Sequence, residues 1–191
     1  MFARLLRPAV TLLLVMTGLL GIAYPLVMTG VARVAFPRQA AGSLIYRDGH
    51  LIGSTLIGQS FSDPKYFWGR PSATTPQPYN GVASSGSNLG PLNPALLDQV
   101  KANAKALHDA DTDNVLPIPV ELVTASASGL DPDISPAGAR YQVARVARAR
   151  GIEPATVEAL ISAHEQHRLL GLISEPRVNV LELNLALDGL R

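Results

Sequence analysis

The sequence predicts a single N-terminal transmembrane helix followed by one α+β extracytoplasmic domain. The run from Ala9 to Ala32 contains no charged residue. As a helix rising 1.5 Å per residue it would span roughly 36 Å, enough to cross a hydrocarbon layer about 30 Å thick. The segment Pro37–Arg191 then mixes strand and helix patterns and is long enough to bury a core of its own.

This assignment divides the chain into a cytoplasmic N-terminus (1–8), a transmembrane helix (9–36) and an extracytoplasmic domain (37–191). A cleaved signal sequence has a shorter apolar core that is followed by small residues. Here the apolar run is too long, and Arg33 and Phe36 follow it. We therefore predict a helix that stays in the bilayer as an anchor.

Charge alone does not orient the helix. Arg4 and Arg7 precede it and Arg33 and Arg38 follow it, which is a tie by the positive-inside count. The N-terminal position of the helix favours a cytoplasmic start. The chain has no cysteine, which is compatible with an oxidising compartment and excludes a disulfide framework.

The helix carries a stripe of small residues on one face. In lipid, small side chains let two helix backbones approach closely, so the stripe predicts a partner helix. The alternative is that glycine and proline are simply more frequent in membrane helices. Pro25 cannot donate a backbone hydrogen bond, and we expect a kink over residues 21–23. The stripe comprises Thr17, Gly18, Gly21, Pro25 and Thr29.

The domain begins with strand and loop patterns. Short apolar runs flank Asp48-Gly49, a dipeptide that favours the positive φ angles of a hairpin turn. We predict strands Leu44–Arg47 and His50–Ile57, with a bulge at Gly53. Residues 61–94 show no sustained period, and such long loops are usually functional surfaces or disordered. Aromatic residues argue for an ordered loop held against the core by Tyr66, Phe67 and Trp68.

Helices are predicted where a capping residue precedes a proline. The first follows Asn93-Pro94 and runs through residues 95–108, and the second follows Ser135 and ends at Arg150 before Gly151. A third runs over residues 154–167. The first helix has an apolar face formed by Leu96, Leu97, Val100, Ala104 and Leu107.

Three further segments complete the domain. Residues 117–124 indicate an edge strand and residues 171–173 a short one. Residues 178–187 alternate like a strand, but Asn179 and Glu182 form a capping-box pattern, so we choose a helix there. The carboxylates of Asp109, Asp111 and Asp113 lack the spacing of a calcium loop and are expected to form a solvated acidic turn.

Composition excludes several classes of function. The chain has 16 basic and 15 acidic residues, and this balance lacks the excess of positive charge that is typical of nucleic-acid-binding proteins. The Ser/Gly segment 84–90 cannot be a phosphate-binding loop, because no lysine lies between Lys65 and Lys101. The four histidines show no dependable metal spacing. We therefore assign no catalytic, cofactor-binding or metal-ligating residue to this chain.

Two alternative functions are compatible with an anchored domain. An extracytoplasmic serine hydrolase would use Ser126 or Ser128 with Asp131 or Asp133, but the G-x-S-x-G elbow is missing. Both carboxylates precede a helix start, where they would stabilise first-turn amides. The other alternative is a free-standing anchored solute-binding domain.

Several segments of the chain form a recognisable series after the anchored start. They are GSTLIGQSF (53–61), YFWGRPSA (66–73), SSGSNLGPLNP (84–94), SASGLDPDISPAGARYQVARVARARG (126–151) and EPRVNVLELNLALD (175–188), of which the run at 126–151 is the most specific. Together, and in this order over nearly the whole chain, they resemble the KdpC family of the Kdp potassium-transporting ATPase.

The resemblance implies an accessory subunit in a bacterial inner-membrane complex that imports potassium by hydrolysing cytosolic ATP. Its partners would be a channel-like potassium-translocating subunit, a P-type ATPase subunit and the lipid bilayer. It implies a catalytic chaperone that raises the ATP affinity of the ATPase subunit. ATP, Mg²⁺ and K⁺ would then act at the level of the complex. Candidate docking residues are Trp68, Arg70, Ser87, Asn88, Ser128 and Asp131.

Overall fold

The computed structural model describes residues 2–167 and 174–190. It separates into two compact units, Met1–Ile52 and Gly53–Arg191, and each is described by itself.

The first unit begins with a long exposed helix. It consists of α1 (Phe2–Met16), a π-helical segment (Thr17–Ala23) and α2 (Tyr24–Ala35). Over Arg4–Ala35 the helix is long and apolar enough to span a membrane, and none of it is buried inside the protein. These features agree with the predicted membrane helix.

The helix is irregular just before Pro25. Proline has no N–H to donate to the carbonyl four residues earlier. The irregularity expected before Pro25 takes the form of the π-helical segment, and π-bulges are a common way to absorb such a break. A Cβ built on Gly21 would lie 3.7 Å from Cγ2 of Thr17, so these two stripe residues are neighbours on the helix.

A folded connection leads from the membrane helix to a hairpin. Helix α3 (Pro37–Ala40) is followed by strands β1 (Leu44–Arg47) and β2 (His50–Ser54). Asp48 and Gly49 have φ angles of 51° and 78°, which confirms the predicted turn.

Strand β2 ends earlier than predicted. Ser54 Oγ accepts a hydrogen bond from the backbone N–H of Leu56, and Ser54 forms an isolated bridge with Ile57. The chain therefore turns back at Ser54, and the predicted extension to Ile57 is wrong. Gly53 makes a close approach instead, because a Cβ there would lie 2.9 Å from Cδ2 of Leu181.

The core of the second unit is formed by helices around a small antiparallel sheet. The sheet has the order β3-β5-β4, with Ile134 opposite Val178 and Glu165 opposite Val178 on the other side. The helices and strands that form this core are β3 (Asp133–Ile134), α5 (Pro136–Tyr141), α6 (Val143–Arg150), α7 (Pro154–His164), β4 (Glu165–Gln166), β5 (Arg177–Asn179) and α8 (Val180–Gly189). The fully buried aliphatic side chains include Val146, Val157, Ile161, Val178, Leu183 and Leu187.

The predicted caps are confirmed. Asn93, Ser135 and Asn179 accept hydrogen bonds from the first-turn amides of α4 (Pro94–Ala110), α5 and α8. Gly151 ends α6 with a φ of 66°. The predicted helix 135–150 is interrupted at Gln142, whose side chain bonds to the backbone of Trp68.

Three predictions about this unit are wrong or displaced, and a fourth is not tested. Residues 117–124 contain a short 3₁₀ helix (Val120–Leu122) and no strand, and Pro117 and Pro119 could not donate to a ladder. Leu97 on α4 is exposed, although Leu107 is buried as expected. Helix α7 ends at His164. The strand predicted at 171–173 lies outside the described residues.

The acidic turn after α4 is not fully solvated. Asp111 is only 3% exposed, and it accepts hydrogen bonds from Arg148 at 3.1 Å and from Asn114 at 3.2 Å. A buried carboxylate needs such partners. The expectation of a solvated turn is therefore wrong for Asp111.

Candidate partner-docking surface

The predicted long loop is ordered by buried polar side chains. No helix or strand lies between Ser54 and Pro94. Asn184 of α8 bonds to both the N–H and the carbonyl of Phe67, at 2.8 and 3.0 Å. Gln142 does the same for Trp68, at 2.8 and 3.0 Å. Two side-chain amides thus pair with the loop backbone as a neighbouring strand would.

Arg145 completes this attachment from α6. Its guanidinium donates to the carbonyls of Pro64 and Tyr66 and to Oε1 of Gln142, and it lies 4.4 Å from the ring centroid of Trp68. Arg145 is 3% exposed. Burial lowers its pKa to about 10, a shift that Asp111 and Asp63 partly oppose. The side chain remains a cation at neutral pH and fixes the aromatic cluster.

The prediction that Tyr66, Phe67 and Trp68 hold the loop is confirmed. Phe67 is fully buried, and Trp68 contacts the core. Tyr66 donates to Asp188, which also accepts from Arg150 at 2.8 Å. Trp68 is also a predicted docking residue, but in the structure much of its surface serves to hold the loop.

Beyond these aromatics the loop folds against residues 126–131. Arg70 forms an ion pair with Asp131 at 3.0 Å, and both side chains are half-buried. Ser72 donates to the carbonyl of Gly129, and the N–H of Ser85 donates to the carbonyl of Ser128. The structure therefore brings together Arg70, Ser128 and Asp131, three of the six predicted docking residues.

Gly129 allows the two segments to approach this closely. Its φ is 66°, and a Cβ there would lie 2.5 Å from the carbonyl oxygen of Ser85. The hydroxyls of Ser126 and Ser128 each accept a backbone N–H from the same turn. Both hydroxyls stabilise this turn, and this arrangement lends no support to a hydrolase that would use either serine as a nucleophile.

The expectation that Asp131 and Asp133 stabilise the first-turn amides of the following helix is wrong. Asp131 pairs with Arg70. Asp133 forms an ion pair with Arg177 at 3.0 Å and accepts a hydrogen bond from Asn179 at 3.1 Å. The first-turn amide of α5 is satisfied by Ser135 instead. Burial raises the pKa of Asp133, against the effect of Arg177. Both carboxylates therefore hold loops and strands together.

Arg70 lies between two open clefts. A cleft of about 300 Å³ contains Arg70 with Tyr79, Trp68 and Asn103, and a second of about 430 Å³ contains Arg70 with Asp131. The Tyr79 hydroxyl donates to the carbonyl of Arg70, and burial raises the pKa of Tyr79 to about 12. In the part of the chain that the structure describes, Nε of Arg70 is buried without a hydrogen-bond partner.

The segment from Tyr79 to Asn93 exposes apolar side chains. Val82 is 98% exposed and Leu92 is 96% exposed. Between them, Asn88 is exposed with a φ of 51°, and Ser87 borders a further cleft. We use the term docking surface for this segment together with Arg70, Ser128 and Asp131. Exposed apolar side chains on an ordered loop are typical of an interaction site.

Sequence reasoning missed the residues that hold this surface in place: Gln142, Arg145 and Asn184. Their signal was present in outline, because each is a polar residue among apolar ones on a predicted helix. The described residues contain no group of three or more histidine, aspartate or glutamate side chains placed to hold a metal ion.

Comparison with known proteins gives one consistent result. The sequence model described as "KdpC: K+-transporting ATPase, c chain" matches residues 6–189. Similar curated proteins are each named "Potassium-transporting ATPase KdpC subunit". The one from Sorangium cellulosum is 64% identical over 97% of this chain and 98% of its own length. The one from Variovorax paradoxus is 62% identical over 96% of this chain and 95% of its own length.

Proposed function

The chain belongs to the KdpC family of K⁺-transporting ATPases, and we propose that it assembles and stabilises the complex as a non-catalytic subunit. The observation that carries this proposal is the match over nearly the whole chain, helix included. An exposed apolar helix with a stripe of small residues supports an anchoring and packing role.

The proposed location is the bacterial inner membrane, crossed once. Residues 1–8 would face the cytosol and residues 37–191 the extracytoplasmic side. The uncharged run is too long for the apolar core of a cleaved signal sequence, which supports a helix that stays in the membrane. The proposed partners are the channel-like potassium-translocating subunit and the P-type ATPase subunit, both in the lipid bilayer.

The chaperone role requires coupling at a distance. In this orientation the large domain cannot touch ATP in the cytosol. ATP, Mg²⁺ and K⁺ would bind to the partner subunits. Any gain in ATP affinity would then pass through helix packing, which couples two distant sites if it favours one state of the ATPase subunit.

The second part of the proposal is that the docking surface binds the outer face of the channel-like subunit. The ordered backbone of residues 61–94 and the exposed Val82 and Leu92 support a preformed interface. Such a surface can bind without the entropic penalty of ordering a flexible loop.

Crosslinking from Asn88 tests this docking. A photoreactive side chain at Asn88 in the assembled complex should crosslink to the channel-like subunit, because Asn88 lies on the docking surface. Val115 provides a matched control, since it is 95% exposed and lies outside this surface. If the Asn88 probe reaches the channel-like subunit no more often than the Val115 probe does, the docking is contradicted.

A further inference from the structure

The hairpin β1–β2 has one apolar face that the protein leaves exposed. Strands β1 and β2 form a two-stranded sheet, and the two-residue turn Asp48-Gly49 between them is expected to place Tyr46 opposite Leu51. Since side chains alternate along a strand, Leu44, Tyr46 and Leu51 lie on the same face. They are 41%, 60% and 57% exposed. A contiguous apolar face that is exposed in this way is typical of an interaction site.

A hydrogen-bonded connection fixes where the hairpin begins. The N–H of Ser43 donates to the carbonyl of Arg38 at 2.9 Å, and the N–H of Gly42 donates to the carbonyl of Gln39 at 2.9 Å. The N–H of Ala40 donates to the carbonyl of Phe36, directly after α2. The hairpin thus starts beside the end of the membrane helix, and its residues 44–52 belong to the same compact unit as that helix.

The length of the uncharged run determines where the C-terminal end of the membrane helix lies in the bilayer. The uncharged run of roughly 36 Å exceeds a hydrocarbon layer of about 30 Å by only a few ångströms at each side. The polar headgroup regions extend the bilayer to about 40–45 Å. Phe36 follows the run by four residues, or about 6 Å, so with a tilt of about 30° residues 36–44 begin in the outer part of the lipid headgroups.

The side chains around the hairpin are of the types that are found at the level of the lipid headgroups. Phe36 and Tyr46 are exposed aromatic side chains, and aromatic residues are enriched where membranes meet water. Arg33 and Arg38 flank the end of the helix and would attract anionic headgroups. An apolar face edged by cations and aromatic residues is typical of a segment that lies in the interface.

We infer that the face formed by Leu44, Tyr46 and Leu51 binds the lipid interface, with its side chains between the headgroups and the acyl chains. The cover of this apolar face is then phospholipid, including anionic phospholipid near Arg33 and Arg38. This makes the hairpin a second, shallow membrane contact beside the transmembrane helix. The other candidate occupant is a partner subunit, which lipid quenching distinguishes from phospholipid.

Because the chain contains no cysteine, a single introduced cysteine can be labelled specifically to test this inference. Leu51→Cys carries a single fluorescent label in the assembled complex, reconstituted into vesicles of phosphatidylcholine and phosphatidylglycerol with brominated acyl chains. His50→Cys is the matched control, because His50 is the adjacent residue on the opposite face. Tyr46→Cys repeats the measurement at a second position of the proposed face.

The Leu51 and Tyr46 labels should be quenched at least about twofold more strongly than the His50 label, since the interfacial depth is about 5–10 Å. Quenching no stronger than at His50 would overturn the inference. Blue-shifted emission without lipid quenching would also overturn it, and would assign the face to a partner subunit.

Discussion

Replacing Arg145 with methionine will unfold the second unit at a temperature lower by roughly 10 °C, because about 2–4 kcal/mol of stability is lost. The change removes the side-chain donor to the carbonyls of Pro64 and Tyr66 and one of the two donors to Oε1 of Gln142. It also removes the cation over Trp68. Relief of the desolvation that lowers the Arg145 pKa offsets part of this loss.

Calorimetry on the full chain in detergent measures this shift. Arg140→Met is the matched control, because Arg140 is exposed and its pair with Glu165 is long, at 3.4 Å. An exposed pair contributes at most about 1 kcal/mol. Arg145→Lys should fall between the two, since lysine keeps the charge but lacks the planar fork. Unfolding of Arg145→Met and Arg140→Met within a few degrees of each other would contradict the role given to Arg145.

Replacing Gly21 with leucine will reduce assembly of the complex about tenfold, which corresponds to 1.4 kcal/mol of lost helix–helix association. The isolated helix should tolerate this change. Among the described residues, a Cβ at Gly21 meets only Cγ2 of Thr17 at 3.7 Å, an ordinary contact. A loss of assembly therefore reports on a partner helix that packs against the stripe.

Gly30→Leu is the matched control for Gly21→Leu. A Cβ at Gly30 meets no described atom within 4 Å, and Gly30 is not one of the stripe residues. The amount of partner subunit recovered with each variant, and the ATP dependence of the recovered complex, give the comparison. If Gly21→Leu supports an intact and fully active complex, packing through the stripe and the proposed coupling to ATP affinity both fail.

Local signals predicted the parts of the fold that depend on local chemistry. The Asp48-Gly49 turn and the caps at Asn93, Ser135 and Asn179 each follow from residues a few positions apart. The membrane helix follows from composition alone. In each case the stabilising partner is close in the sequence, so the pattern is visible without the fold.

The attachment of the docking surface could not be predicted in the same way. Gln142 and Trp68 are 74 residues apart, and Asn184 and Phe67 are 117 apart. Their pairing depends on how α5, α6 and α8 meet, which no local pattern encodes. The strand prediction at 117–124 failed for a related reason. A β pattern needs a partner with free backbone donors and acceptors, and two prolines weaken it.

Co-purification in gentle detergent tests most directly whether this chain works as an anchored subunit of a larger complex. The tagged full chain is compared with a chain that lacks residues 1–36, both expressed with the partner subunits. We predict that the full chain recovers two large membrane proteins, the channel-like subunit and the ATPase subunit, and that the shortened chain does not. If the full chain is recovered from the membrane without either partner subunit, the account is contradicted.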